Sequence, residues 1–379
     1  MVRGGKGLRV VVIGGGVGAW ELALGLRKLA ADLVQTTVIT PDAHFRYMPS
    51  SVAVPFRRGE VYRFSIEALA GASGAKLVPS TVTSVDTAAY TARIADGDTV
   101  RYDALVVATG ARRLPVLKGA IPFRGEEDIA AVEAVLDEIT RRTVDRVAFA
   151  LPGTATWSLP LYELALLTGA YVADHHVPGV ELTFVTPEDE PLAVFGGEAS
   201  RKVDALLGER RVALVRASYP AGFYDGVLML VPARTIPADR VICMPEARGV
   251  VIDGLPHDYS GFLTVDPYGR VANTPDVYGV GDITNQPIKQ GGIAAQQADI
   301  VAQLLARQAG AQVEEPEPHR PTLRALLLTG DEPQYLESRP AGGHGAAATP
   351  SNEPLWWPGG KIAARYLGPY LAQAERVKL

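Results

Sequence analysis

The chain has one cysteine, Cys243, in 379 residues. A lone thiol excludes an intramolecular disulfide and any all-cysteine metal site, and no metal centre is expected. The scarcity suits a reducing compartment. There is no basic excess: 37 Lys and Arg face 42 Asp and Glu, for a formal net charge of −5. Charge therefore provides no footprint for nucleic acid, and none is expected as a partner. No apolar run is long enough to span a bilayer, and the first one is broken by glycine. The amino end carries a few basic residues and passes directly into that run. Neither a signal peptide nor a transmembrane helix is expected, and the expected location is cytoplasmic.

What is abundant is apolar residues, 47% of the chain, and glycine, 39 in number. That length and apolar content suit two domains and an appendage. The chain is organised around residues 10–19, VVVIGGGVGA. Four apolar residues run into a glycine cluster, and a helical pattern follows over 20–29. The stretch reads as a buried parallel strand, a tight turn and a helix. Gly14, Gly16 and Ala19 fit G-x-G-x-x-G/A, with Gly15 and Gly18 in the same loop. The first glycine permits the turn, the second admits a pyrophosphate to the backbone, and the small third residue lets helix and strand pack closely. Free amides and the positive helix end then face the phosphates.

Residues 35–40 (QTTVIT) read as a second strand. An acid usually closes this strand and holds the adenosine ribose. Here Thr40 occupies the place and Asp42 is the nearest acid, so Asp42 or backbone groups take that role. A polar and aromatic loop, 44–50, can line the cleft. A short helix is expected over 64–70, a strand over 75–85, and a hairpin around Asp96-Gly97. Residues 104–110 (ALVVATG) form a second glycine-closed turn at Ala108, Thr109 and Gly110.

A helix over 128–140 and a strand over 146–151 open a second unit. Its turn, PGTATW at 152–157, has one glycine, a proline and a tryptophan. Close approach of a pyrophosphate looks obstructed there. Residues 181–186 repeat the earlier strand, down to the ending: Thr186-Pro187-Glu188 echoes Thr40-Pro41-Asp42. That echo argues for two related doubly wound units. A helix over 198–206, a strand over 212–215, a hairpin over 226–231 and a strand over 240–244 complete the second unit. Residues 277–282 then supply a third strand-glycine-acid element ending in Gly281-Asp282. Lys289, Gln290, Gly291 and Gly292 open a long helix over 293–308. A Pro/Glu-rich linker (313–321), an aromatic loop with Trp356 and Trp357, and a final helix over 362–375 form the tail.

The three elements GGGVGA, ATG and GVGD, in this order around an inserted unit, resemble FAD-dependent members of the pyridine nucleotide–disulfide oxidoreductase superfamily. Within it the chain is similar to the branch of sulfide:quinone oxidoreductases, flavocytochrome c sulfide dehydrogenase flavoproteins and type II NADH dehydrogenases. The residues carrying this are Phe45-x-Tyr47-x-Pro49, Gly281-Asp282, the stretch Pro287 to Gly291, and Trp356-Trp357-Pro358-x-x-Lys361-Ile362. The resemblance implies an α/β fold of two Rossmann-like, glutathione-reductase-like domains with a C-terminal appendage. It divides the chain into an FAD-binding domain over 1–115 and 246–312, a degenerate NAD-type domain over 116–245, and a tail over 313–379. The implied cofactor is FAD, held by Gly14, Gly16 and Ala19 at the pyrophosphate. Gly281 and Asp282 would serve the ribityl or pyrophosphate side, and the loop Lys289 to Gly292 would sit beside the flavin pyrimidine. There a helix N-terminus and the Lys289 ammonium would stabilise a reduced flavin anion, making Lys289 the catalytic candidate.

Two departures qualify this. Sulfide-oxidising relatives use a cysteine pair that one thiol cannot form, and Cys243 reads as a small buried hydrophobe. NADH-oxidising relatives need an open second glycine loop. The expected function is an FAD oxidoreductase passing electrons through flavin N5 between an unnamed donor and a quinone-like or other small acceptor. The alternatives are a type II NAD(P)H dehydrogenase and a flavin-bearing electron-transfer or structural subunit working with a partner protein. Aromatics with Lys361, Arg365, Arg376 and Lys378 make the tail a candidate for peripheral contact with the inner face of the membrane. A homodimer stays open.

Overall fold

The computed structural model describes residues 7–341, 344–345 and 349–374. Two parallel sheets, each of five strands, form the frame. The first has the order Val277–Gly279, Ala104–Val107, Leu8–Ile13, Val34–Ile39, Lys76–Val78. The second has the order Ile121–Pro122, Arg240–Cys243, Arg146–Ala150, Glu181–Val185, Val212–Val215. Both are Rossmann-like.

Each central strand is buried on both faces, as a continuous apolar run requires. In Leu8–Ile13, Val10 and Val12 pack among helices, while Val11 and Ile13 pack on a three-stranded antiparallel sheet (Val82–Asp86, Thr91–Ile94, Thr99–Arg101). The second unit repeats the plan. Val147 and Phe149 face helices, and Ala148 and Ala150 face the antiparallel strands Tyr219–Tyr224, Val227–Val231 and Arg234–Pro237. Two antiparallel crossovers, Ala111–Leu114 against Glu246–Gly249, join the units.

The helix Val17–Ala30 packs along Gly291–Gln308. Small residues permit this approach: a Cβ on Gly25 would stand 3.2 Å from the Ala302 methyl. The tail returns through the hairpin Leu323–Leu327 and Gln334–Ser338, then ends in the short helix Leu367–Gln373.

Several sequence expectations are corrected. Residues 75–85 are not one strand: Lys76–Val78 edges the parallel sheet and Val82–Asp86 starts the antiparallel one, with Pro79 and Ser80 between. The expected hairpin over 226–231 is the middle of a three-stranded meander. The final helix begins at Leu367 rather than 362. Lys361 and Ile362 are held instead by tertiary bonds. Arg376 and Lys378 lie outside the described residues, whereas Lys361 is buried and so contributes nothing to a basic surface.

Candidate flavin site

Three turns meet at the carboxyl ends of the first sheet. The Gly14 amide donates to Ile39 O at 2.9 Å, Ala108 N to Ile13 O at 2.8 Å, and Val280 N to Val107 O at 3.0 Å. Gly14 has φ +118° and a Cβ there would stand 2.3 Å from Ala108 O. Only glycine fits, because the second turn lies directly against the first. Gly15 is close against Thr40, whose Oγ1 would be 2.7 Å from its Cβ. Gly18 packs on Val280, and Ala19 is fully buried. Gly281, at φ +78°, approaches Ala294.

Gly16 differs from its neighbours: a Cβ there would meet nothing within 4 Å. That open face lies at the start of Val17–Ala30, which has no acid in its first turn. Gly110 is equally open, at φ +70°. The Thr109 hydroxyl between Ala108 and Gly110 is buried without a partner. At the other helix, Gly291–Gln308, no acid occupies the first turn, and Gln290 Oε1 is buried without a partner. Two positive helix ends, two open glycines and two orphaned polar atoms fit a dinucleotide that carries an anionic middle and a polar ring. The residues present therefore fit FAD.

Thr40 is buried and acts locally. Its Oγ1 accepts from Asp42 N at 3.3 Å and lies 3.4 Å from Asp42 Oδ2. Asp42 is exposed and stands 3.6 Å from Arg46. Asp282 is partly buried, and burial raises its carboxyl above the usual range against the pull of Arg113 and Lys289. Lys289 turns back into the protein. Its ammonium donates to Thr284 O and lies 3.8 Å from the Phe262 ring centroid. Burial draws its pKa down to about 8, against the opposing effect of Asp282 and Asp258. Gly291 packs against Ile362 and Val17, linking this helix start to the tail and the first glycine helix.

The second unit reproduces the threonine–acid turn. Thr186 Oγ1 accepts from Glu188 N at 3.1 Å and donates to Glu188 Oε2 at 2.9 Å. Glu188, however, is also bound by the Tyr162 hydroxyl, and burial raises its carboxyl. Tyr219 lies over Gly153, 3.0 Å from where a Cβ would be. Trp157 packs edge-on against Phe195. The second loop is thus filled by the protein's own side chains. Cys243 lies in the core beneath it, with its thiol pushed up to about 12 by burial.

The tail is tied to both units by contacts that its sequence does not mark. Lys361 Nζ pairs with Glu163 Oε1 at 2.6 Å, both almost wholly buried. Tyr47 OH accepts from Ile362 N at 3.1 Å. Trp356 stacks edge-on with Tyr335 and donates to Gly360 O at 2.9 Å, whereas Trp357 is 79% exposed. Under this loop lies a pocket of about 160 Å³ lined by Tyr47, Tyr335, Pro358, Ile362 and Leu371. A surface crevice of about 510 Å³ is lined by Arg270, Val271 and residues 273–278 around the start of Val277–Gly279, away from the glycine turns.

Comparison with known proteins gives the family. The family model for pyridine nucleotide-disulphide oxidoreductase matches residues 8–298. The sulfide-quinone reductase of Aquifex aeolicus is 26% identical over 302 residues, 73% of this chain and 69% of that one. A probable ferredoxin reductase of Castellaniella defragrans is 27% identical over 307 residues, 74% of this chain and 68% of that one. The solved sulfide:quinone oxidoreductase of Aquifex aeolicus superimposes with a TM-score of 0.80 at 19% identity, covering 97% of this chain and 90% of that one.

Proposed function

The chain belongs to the pyridine nucleotide-disulphide oxidoreductase family and is an FAD-dependent oxidoreductase, and from that premise we propose that its flavin passes electrons to a quinone-like acceptor. The pocket under the tail carries this reading. Its 160 Å³ compares with the roughly 150 Å³ apolar cavity that takes a benzene ring. Ile362 lines that pocket and also touches Gly291, so one side chain separates acceptor from the flavin pyrimidine turn. Leu355 and Trp357 are exposed beside the pocket wall formed by Pro358 and Gly359. An apolar acceptor dissolved in lipid would enter there, with those two side chains at the bilayer interface. No helix among the described residues is long and apolar enough to cross a membrane.

FAD supplies two-electron chemistry when bound. The chain's own part is to hold it at Gly14, Gly15, Gly16, Gly18 and Ala19, at Ala108, Thr109 and Gly110, and at Gly281, Asp282, Gly291 and Gly292. Lys289 offsets the Asp282 charge and keeps that turn favourable to a reduced flavin. The donor is a small reductant other than a nicotinamide nucleotide, because Tyr219 covers Gly153 and Glu188 is bound internally. The single buried thiol does not support a cysteine-pair sulfide chemistry. A protein donor is the second reading. The exposed sheet face of Tyr219, Tyr224, Met229 and Val231 and the similarity to a ferredoxin reductase favour it.

The test is anaerobic. Photoreduced protein is mixed with a short-chain ubiquinone analogue, and flavin reoxidation is followed. Rapid reoxidation is expected, slowed at least about tenfold in Ala372→Trp, because Ala372 also lines the pocket and the larger side chain fills it. Flavin that stays reduced with quinone would overturn the acceptor assignment. Bleaching by NADH would overturn the donor assignment.

A further inference from the structure

Gln290 immediately precedes the helix Gly291–Gln308 and is 9% exposed. Its Nε2 donates to the Arg324 carbonyl at 2.6 Å. That bond fixes the sense of the amide, because only the nitrogen can donate to a carbonyl. The other end, Oε1, is therefore an acceptor. It has no partner, and it stands 3.0 Å from where a Cβ of Gly292 would be. Buried amide oxygens are seldom left unpaired without a ligand to satisfy them. Beside it, the first turn of an 18-residue helix presents amides that no intrahelical carbonyl can satisfy, with no acid and no side-chain cap.

The site thus offers an acceptor next to donors at a positive helix end. Its complement is a ring edge with an N–H next to a carbonyl that gains negative charge. We propose that Gln290 Oε1 accepts the N3–H of the flavin pyrimidine ring, beside the Gly291–Gly292 helix start that the resemblance already sets at that ring. This rests on the FAD reading and adds a residue that selects the ring itself. It also couples the tail hairpin to the flavin, since the Arg324 carbonyl on strand Leu323–Leu327 orients the glutamine.

The test compares FAD with N3-methyl-FAD, titrated into deflavinated protein by quenching of flavin fluorescence. Wild type is expected to prefer FAD by about tenfold or more, the loss tied to one buried hydrogen bond. Gln290→Ala and the similarly sized Gln290→Leu are expected to bind FAD about tenfold more weakly and to lose most of that preference. Variants that keep the full preference would overturn the proposal, as would equal losses for both flavins, which mark a merely structural glutamine. A wild-type protein that binds neither flavin would overturn the FAD reading and this one with it.

Discussion

Replacing Lys361 by methionine should loosen the tail from the second unit, by an amount the burial decides. The pair Lys361–Glu163 is 2.6 Å long, with side chains 5% and 1% exposed. Glu163 also accepts the Leu328 amide at 3.0 Å, so one carboxylate holds both the hairpin and the aromatic loop. Removing one partner of a buried pair strands the other charge and costs about 3–5 kcal/mol. Removing both charges, in Glu163→Gln with Lys361→Met, keeps an acceptor for the Leu328 amide and should restore stability to within about 1 kcal/mol of wild type. The pH dependence has a definite sign. Burial already raises the Glu163 carboxyl despite Lys361, and loss of the ammonium raises it further. A folded pKa above the unfolded one means the native state binds the extra proton. Stability then falls as pH rises from about 4.3 through the folded pKa. The deficit of Lys361→Met should therefore be smallest near pH 4.5 and larger at pH 7.5. Urea unfolding at both values, read by tryptophan fluorescence, measures it. A single variant within about 1 kcal/mol of wild type at pH 7.5, or a double variant no better than the single, would refute the reasoning.

Gly16→Val should fold normally, since a Cβ there meets nothing within 4 Å, yet lose FAD affinity by about a hundredfold or more as the branched side chain occupies the phosphate approach; circular dichroism and flavin titration separate the two effects. Lys289→Met should lower the flavin midpoint potential by roughly 30 mV, the two-electron equivalent of about 1.4 kcal/mol, by leaving Asp282 uncompensated; an unchanged potential in spectroelectrochemistry would remove Lys289 from the flavin's surroundings. Asp299 faces Glu21 across two helices, with Arg365 and Tyr366 from the tail nearby, and burial followed by the Glu21 charge raises its pKa to about 9. Because the folded pKa is the higher one, wild type should lose stability as pH climbs from about 4 towards 9. Asp299→Asn, which keeps a donor to Glu21 without a titrating proton, should open a stability advantage that widens with pH in thermal melts. A gap that stays constant from pH 5 to pH 9 would sink that account.

Much of the frame was legible because its signals are local. Strand, glycine turn and helix follow one another at 8–30, and the echo of Thr40-Pro41-Asp42 in Thr186-Pro187-Glu188 reappears as the same threonine–acid hydrogen bonds. The fate of that echo was not legible. The second acid is bound by Tyr162 from a different helix, and Tyr219 reaches Gly153 from the antiparallel sheet. Both are contacts between distant segments, which periodicity does not record. The tail was read least well for the same reason. An apolar pattern suggested a helix from 362, but Ile362 N is taken by Tyr47 and Lys361 by Glu163, so the helix starts only after Glu21 caps Tyr366 and Leu367. Gln290 stood inside a quoted motif, yet only the structure separates its bonded nitrogen from its unpaired oxygen.

The central claim is that three turns of one sheet enclose a single flavin dinucleotide. Its most direct test is the flavin content of the purified chain, taken from the visible spectrum before and after denaturation. The account predicts one FAD per chain, released on unfolding and recovered on reconstitution. A folded protein that is colourless and takes up no FAD would contradict it.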